Sequence, residues 1–168
     1  CSSDLNGSLV GVRVNNVLTT GEWLHIAGTC DGNQMKLYLN GELISSATPE
    51  SSLFAPNGTF GFSSASENLD GKLDEIRVWN IVRTQQQIRE CMHLTLSGIE
   101  NGLINYWQFN EGSGTTASDN AGGCTGFLNN MTQGTWVYST IPAGIGVSYS
   151  ATEKYGNVEF SGTGAAAE

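Results

Sequence analysis

The chain alternates between short hydrophobic runs and groups of turn-forming residues. Side chains that alternate between apolar and polar over a short run predict a β-strand with one buried face. In the run 9–14, for example, Val10, Val12 and Val14 fall on one face. The predicted strands cover residues 9–14, 23–29, 35–39, 42–46, 59–62, 71–79, 103–109, 127–128, 136–138 and 158–160. This pattern predicts an all-β protein built as a sandwich.

The clearest local prediction is a three-stranded meander over residues 23–46. The turn residues 31–33 separate its first two strands. Asn40 and Gly41 separate the second and third strands, and both residue types tolerate the positive φ of a type I′ turn. We therefore expect a tight hairpin at this position.

One segment has the pattern of a helix. Thr84 is followed three residues later by Gln87, which is the spacing of a capping box. The helix would run through Ile88, Cys91 and Met92, with Ile88 and Cys91 facing the sheet. The sequence thus predicts a single short helix.

Three segments carry a resemblance to a known family. Residues 21–41, which read GEWLHIAGTCDGNQMKLYLNG, resemble the central signature of laminin-G-like, concanavalin A-like jelly-roll domains. Residues 71–80 (GKLDEIRVWN) are similar to the second signature, and residues 102–114 are similar to the closing strand of such domains in secreted bacterial modular proteins. The resemblance extends over residues 9–138 and implies a two-sheet antiparallel jelly-roll sandwich with one short helix, laid out as in pentraxins.

The resemblance also suggests how the chain is divided. We expect residues 1–140 to form most of the jelly roll, and residues 141–168 to form a linker and the start of a following β module. Family members open with several strands before the segment that holds Trp23, so we expect N-terminal strands to be missing from this chain. They would lie upstream in a longer protein or be supplied by another chain. Alternatively, Cys1 could be the mature end of a lipoprotein.

Composition narrows the classes of partner. The 168 residues include 7 Lys and Arg against 16 Asp and Glu, which gives a formal net charge of −9. Because phosphate binding needs clustered cations, we expect no nucleic-acid partner. No apolar run is long enough for a membrane-spanning helix. An acidic, Gly-rich and Lys-poor composition fits a secreted or cell-surface protein.

The four cysteines suit an oxidising compartment, because their number is even and none forms a CxxC zinc motif. Three pairings are possible. We favour Cys91–Cys124, since both residues would flank the strand around Trp107. Free buried thiols are the alternative.

Glycoside hydrolases share the fold that the resemblance implies, so catalysis has to be considered. A retaining hydrolase needs two carboxylates on the same face of a strand. The E-x-D-x-x-E pattern of such enzymes is absent, and Asp74 and Glu75 are adjacent, so their side chains should point to opposite faces. We expect no enzymatic activity.

Calcium is the cofactor that the sequence suggests. Calcium binding needs several hard oxygen ligands from neighbouring loops. Glu67, Asn68 and Asp70 precede one predicted strand, and Asp31 and the pair Asp119–Asn120 lie in other loops. The alternative is an acidic loop that is simply solvated.

Trp136 is the candidate ligand-binding residue, because the polar residues before it favour exposure and an exposed indole can stack on a sugar. We expect an extracellular adhesion or recognition module of a large modular surface protein of bacterial type. Its partners would be a glycan, a surface protein, or other copies or modules of the same protein. The alternative function is a structural repeat of an extracellular fibre or matrix without a ligand of its own.

Overall fold

The computed structural model describes residues 2–3, 9–10, 12–49, 60–61, 71–129, 136–141, 149–153 and 157–161. Its elements are β1 (Ser2–Ser3), β2 (Leu9–Val10), β3 (Ile26–Cys30), β4 (Met35–Leu39), β5 (Glu42–Ala47), β6 (Phe60–Gly61), β7 (Gly71–Leu73), β8 (Ile76–Trp79), α1 (Gln85–Cys91), β9 (Leu103–Trp107), β10 (Thr116–Ala117), β11 (Thr125–Asn129), β12 (Trp136–Tyr138), β13 (Tyr149–Glu153) and β14 (Asn157–Ser161).

Each strand pair in these ranges is antiparallel, and the described residues contain one short helix. The predicted all-β class is confirmed, and the arrangement is consistent with a jelly-roll sandwich. The residues group into two compact units, which are described separately. The first unit comprises residues 1–56 and 82–94, and the second comprises residues 57–81 and 95–168.

The first unit contains the predicted meander. Strands β3, β4 and β5 pair in that order, and Asn40 and Gly41 connect the last two with φ values of 49° and 76°. Both angles lie in the left-handed region that a type I′ turn requires. The meander prediction is therefore confirmed, although its first strand begins at Ile26 rather than at Trp23.

The two faces of the meander differ in character. Leu37 and Leu39 of β4 share one face, whereas Lys36 and Tyr38 share the other. Tyr38 is opposite Leu43 of β5, and its side chain is buried. A strand that alternates in this way gives the sheet one apolar face and one mixed face.

Helix α1 begins where the sequence predicts. The Thr84 hydroxyl accepts a hydrogen bond from the Gln87 backbone N–H, and the Gln87 side chain accepts one from the Thr84 backbone N–H. This reciprocal pair is the predicted capping box. Ile88 is the buried residue of the helix, which ends at Cys91, one residue before the predicted end, with Met92 as its C-cap.

The described residues of the second unit form three small sheets. Their strand orders are β10-β11-β14-β6, β12-β13-β7 and β8-β9. The segment 71–79, predicted as one strand, is divided into β7 and β8 at Asp74 and Glu75. Glu75 has a φ of 55°, which an extended strand cannot contain, so the alternation is interrupted there.

The core of the second unit is centred on β9. Trp107 and Phe109 are buried together with Ala117 and Leu128. The partly buried hydrophobic residues that pack against this cluster are Leu73, Ile76, Val78, Cys124 and Trp136. Aromatic side chains supply much of the buried area, so this core should contribute strongly to the stability of the unit.

Two strands that follow residue 140 pair with strands that precede it. Strand β13 pairs with β12 and β7, and β14 pairs with β11 and β6. The predicted boundary between a jelly roll over 1–140 and a following module stays a prediction. The pairing of β13 and β14 shows that the segment 141–168 contributes strands to the sheets of the second unit. Within the described ranges, no helix has the length and apolar character needed to cross a bilayer.

Candidate functional site

A small cavity opens on the mixed face of the meander in the first unit. Its volume is about 280 Å³. We call it the polar cavity, and it is lined by Thr29, Asp31, Gln34, Lys36, Tyr38, Leu43 and residues 82–85. Because β4 alternates, Lys36 and Tyr38 reach this cavity from the same strand face.

Asp31 is fixed in the hairpin turn beside the polar cavity. Its Oδ1 accepts hydrogen bonds from the backbone N–H groups of Asn33 and Gln34 at 2.9 and 2.7 Å. These two bonds, and to a smaller extent the charge of Lys36, lower the pKa of Asp31 below its ordinary value. The cavity therefore has a preorganised carboxylate and an ammonium group at the same edge.

The opposite wall of the polar cavity is held by the start of α1. The Thr84 hydroxyl caps the helix, and Gln85 Nε2 donates a hydrogen bond to the Gly41 carbonyl at 2.9 Å. Because these side chains already have partners, the wall is fixed before any ligand arrives. Preorganisation of this kind lowers the entropy lost on binding.

The polar cavity also has apolar contact surface. Leu43 and Val82 are 45% and 50% exposed, and the Tyr38 side chain is buried behind them. Lys36 and Gln34 add hydrogen-bond donors, and Asp31 and Gln34 add acceptors. A ligand with both an apolar face and several hydroxyl or amide groups would match this combination.

A second cavity lies on the apolar face of the meander and has a volume of about 330 Å³. Its lining consists mainly of aliphatic side chains, namely Val12, Val14, Val17, Leu18, Ile26, Leu37, Leu39 and Ile44. It offers few groups that could orient a polar ligand. The polar cavity is therefore the better candidate site.

The second unit contains a buried cluster of charged groups around the DE pair of its signature motif. Glu75 Oε2 accepts hydrogen bonds from Arg77 Nη2 at 2.6 Å and from the Tyr106 hydroxyl at 2.5 Å. Burial raises the pKa of Asp74 to about 7, while an interaction with Ser139 opposes the shift. Both carboxyl groups thus serve contacts within the fold.

Trp136, the predicted ligand-binding residue, is half-buried. Its ring lies 6.4 Å from the ring of Phe109, measured between centroids, and its Nε1–H donates to the Gly114 carbonyl at 2.8 Å. The indole is less exposed than the sequence suggested because its ring covers Phe109 and its N–H has found an acceptor. A ligand contact at Trp136 stays a prediction.

Asp119, a predicted calcium ligand, organises the loop in which it lies. Its two oxygens accept hydrogen bonds of 2.6 to 3.0 Å from the Asn105 side chain and from the backbone N–H groups of Tyr106, Ala121, Gly122 and Cys124. Desolvation raises the pKa of Asp119, but these bonds outweigh it, so the pKa lies below its ordinary value. These five donors would compete with a cation for the lone pairs of the carboxylate, and calcium binding at Asp119 stays a prediction.

The predicted calcium ligands Glu67, Asn68 and Asp70 lie outside the described residues. In the part of the chain that the structure describes, no group of three His, Cys, Asp or Glu side chains could hold a metal ion. Calcium binding by the segment 67–70 stays a prediction.

The predicted Cys91–Cys124 disulfide is not formed in the described structure, where Cys124 is a free thiol. The two residues belong to different units, Cys91 at the end of α1 and Cys124 before β11. Burial raises the pKa of the Cys124 thiol, and the charge of Asp119 adds to the effect. A raised pKa keeps the thiol protonated and therefore less reactive.

Sequence reasoning did not identify the polar cavity. The alternation in β4 does place Lys36 beside Tyr38 on one face, which was the available signal. The contribution of residues 82–85 could not be inferred, because these residues are about forty positions away in the chain.

Comparison with known proteins gives matches over part of the chain. A laminin-G family model, described as the concanavalin A-like lectin/glucanases superfamily, matches residues 2–89. Pappalysin-1 of Mus musculus is 35% identical over 75 residues, which cover 40% of this chain and 5% of that protein. Pappalysin-1 of Homo sapiens is 32% identical over 79 residues, which cover 43% of this chain and 5% of that protein. The match thus spans a small fraction of the length of these curated relatives. No solved structure matches the chain.

Proposed function

The chain belongs to the concanavalin A-like lectin/glucanase superfamily as a laminin-G-like domain, and on this basis we propose that it is a non-catalytic extracellular recognition module. The observation that carries the proposal is the polar cavity, which joins a fixed carboxylate, an ammonium group and exposed apolar walls. Specific binding sites combine a few placed polar groups with apolar contact in this way.

A saccharide is the ligand class that the polar cavity fits best. A sugar ring has hydroxyl groups around its rim and an apolar C–H face; Asp31 and Lys36 could bind the hydroxyl groups, and Leu43 and Val82 could contact the apolar face. The volume of about 280 Å³ lies near the lower end of the range for ligand pockets, so a small ligand is expected. A protein ligand that inserts one polar side chain is the second possibility.

The test is a glycan array followed by titration of each hit with the 168-residue chain. Lys36→Met keeps the aliphatic stem and removes the ammonium group, so we expect the affinity to fall about tenfold, the equivalent of about 1.4 kcal/mol. Lys72→Met is the matched control, because Lys72 is an exposed lysine of β7 in the second unit.

Equal losses in the two variants would show that the cavity is not the site. Binding to no glycan and to no surface protein would overturn the recognition proposal and favour a structural repeat of a fibre or matrix.

The absence of catalysis is part of the proposal. It is supported by the placement of Asp74 and Glu75, whose carboxyl groups are engaged with Ser139, Arg77 and Tyr106. Hydrolysis of any glycan that binds the chain would contradict it.

Calcium is proposed for the segment that holds Glu67, Asn68 and Asp70. Calorimetric titration of the chain with calcium, repeated with Asp70→Asn, tests this proposal separately from ligand binding. Heat that persists unchanged in the variant would argue against these ligands.

A further inference from the structure

Two Asn–Gly pairs lie in turns that the structure describes, and the hydrogen bonds that restrain the asparagine differ between the two pairs. In such a pair the Gly backbone nitrogen can attack the Asn side-chain carbonyl, since Gly has no side chain to hinder the approach. The reaction needs the Asn side chain and the following peptide to rotate into contact. The number of hydrogen bonds that hold each Asn therefore decides how readily it reacts.

Asn40 is held firmly in the β4–β5 turn. Its backbone N–H donates to the His25 carbonyl at 2.8 Å, and its Oδ1 accepts from the His25 backbone N–H at 2.9 Å. The following residue, Gly41, is buried, and its carbonyl accepts hydrogen bonds from Gln85 and Arg89. Attack at Asn40 would have to break the bond between its side chain and His25.

Asn101 also precedes a glycine, and the Gly102 carbonyl likewise accepts a hydrogen bond, from the Asn80 N–H at 2.9 Å, but the Asn101 side chain lacks the restraint that Asn40 has. It is exposed, and within the described ranges its side chain has no hydrogen bond. It occupies the second position of the turn that the Leu103 N–H closes on the Glu100 carbonyl at 3.0 Å. Gly102 follows it with a φ of 81°.

We propose that Asn101 is a site of spontaneous deamidation in the folded protein and that the fold protects Asn40. The Gly102 backbone nitrogen loses its proton to solvent and forms a bond to Cγ of Asn101. The bond from Cγ to the amide nitrogen breaks, and ammonia leaves. Water then opens the cyclic imide at one carbonyl or the other, which gives aspartate or isoaspartate, and no electron donor or acceptor is required.

The two products have different consequences for the second unit. Aspartate leaves the backbone unchanged. Isoaspartate routes the main chain through the side chain and so lengthens the turn that leads into β9. Leu103, Tyr106 and Trp107 of this strand are buried, so a longer turn displaces the start of a core strand.

The experiment is peptide mapping by mass spectrometry after the folded 168-residue chain is kept in warm, mildly alkaline buffer. We expect the mass gain of amide-to-acid conversion at Asn101 at least about ten times faster than at Asn40, a difference of about 1.4 kcal/mol in activation free energy. The same incubation in concentrated urea is the control, and there the two rates should converge because the fold no longer distinguishes them.

Equal rates in the folded chain, or no conversion at Asn101, would overturn the proposal. Asn101→Asp reproduces the aspartate product, and we expect it to unfold at the temperature of the unmodified chain. The isoaspartate fraction, separated by chromatography, should unfold at a lower temperature.

Discussion

At the scale of single residues, Asp74 is a buried carboxyl group with a second carboxylate beside it. Burial favours the protonated form of Asp74, and the charge of Glu75, whose carboxylate accepts the hydrogen bonds of Arg77 and Tyr106, adds to this effect. Folding raises the pKa of Asp74 from 3.8 to about 7. The folded state therefore binds a proton more tightly than the unfolded state does.

This pKa shift predicts how Asp74 makes the free energy of unfolding depend on pH. The contribution of Asp74 to the free energy of unfolding is largest below pH 3.8 and falls as the pH rises to about 7, because the unfolded state releases its proton first. Asp74→Asn is neutral in both states, so we expect it to be more stable than the natural chain at pH 8 by about 2 kcal/mol, roughly half of the full linkage for a part-buried group. Urea unfolding at several pH values measures the difference.

Asp31→Asn is the control for this prediction, because Asp31 is exposed and its pKa is lowered. If Asp74→Asn showed the pH dependence of the natural chain, Asp74 would not be the titrating group.

Gly41 is closely packed and has a positive φ, so replacing it tests how much each of these features contributes to stability. A Cβ at this position would lie 2.5 Å from Cγ of Arg89, and φ is 76°. Gly41→Ala should lower the free energy of unfolding of the first unit by about 2 to 3 kcal/mol, from backbone strain and steric overlap together. Gly32→Ala isolates the strain, because φ is 86° there and no atom lies within 4 Å of the added Cβ.

The comparison is made by urea denaturation followed by far-ultraviolet circular dichroism. Equal losses at Gly41 and Gly32 would mean that contact with Arg89 adds nothing beyond the backbone strain.

At the scale of elements, the capping box decides where α1 begins. Thr84→Ala removes the acceptor for the Gln87 N–H, so we expect the first unit to lose about 1 kcal/mol of stability. Thr84→Ser keeps the hydroxyl and should lose little. Amide hydrogen exchange in the first turn of α1 measures the effect, and equal protection in both variants would contradict it.

The elements that were predicted well from the sequence are those that depend on interactions between residues close together in the chain. The meander, the turn at Asn40 and the cap at Thr84 each depend on residues that are near one another in the chain. The break of the segment 71–79 at Glu75, where φ is positive, was harder to predict, because the Glu75 side chain contacts Tyr106 of a strand about thirty positions away.

The candidate site was harder to predict than the fold. Trp136 was judged by its sequence neighbours, whereas its partners Phe109 and Gly114 are more than twenty residues away. Likewise, the Asp119 carboxylate accepts hydrogen bonds from five donors, and no sequence motif relates the positions of these donors to Asp119. The partners of such side chains are determined by the tertiary structure, so local sequence patterns do not reveal them.

At the scale of the whole molecule, charge limits the range of partners. The net charge is −9, and Arg77 and Arg89 are already paired with Glu75 and Glu42. We expect no retardation of DNA or RNA in a gel-shift experiment at physiological salt, because few cations are left to displace counterions. Retardation that weakens steeply with added salt would contradict this expectation.

The pairing of β14 also sets an order of events during synthesis. Strand β14 lies between β11 and β6, and its register joins Phe160 to Phe60 across one hundred positions of the chain. Contacts of such long sequence separation form slowly, because a large loop must close first. On the ribosome, β6 and β11 would leave the exit tunnel well before the strand that joins them. Each therefore has an unsatisfied edge for a time, and this interval is when a nascent chain of this topology most needs a chaperone.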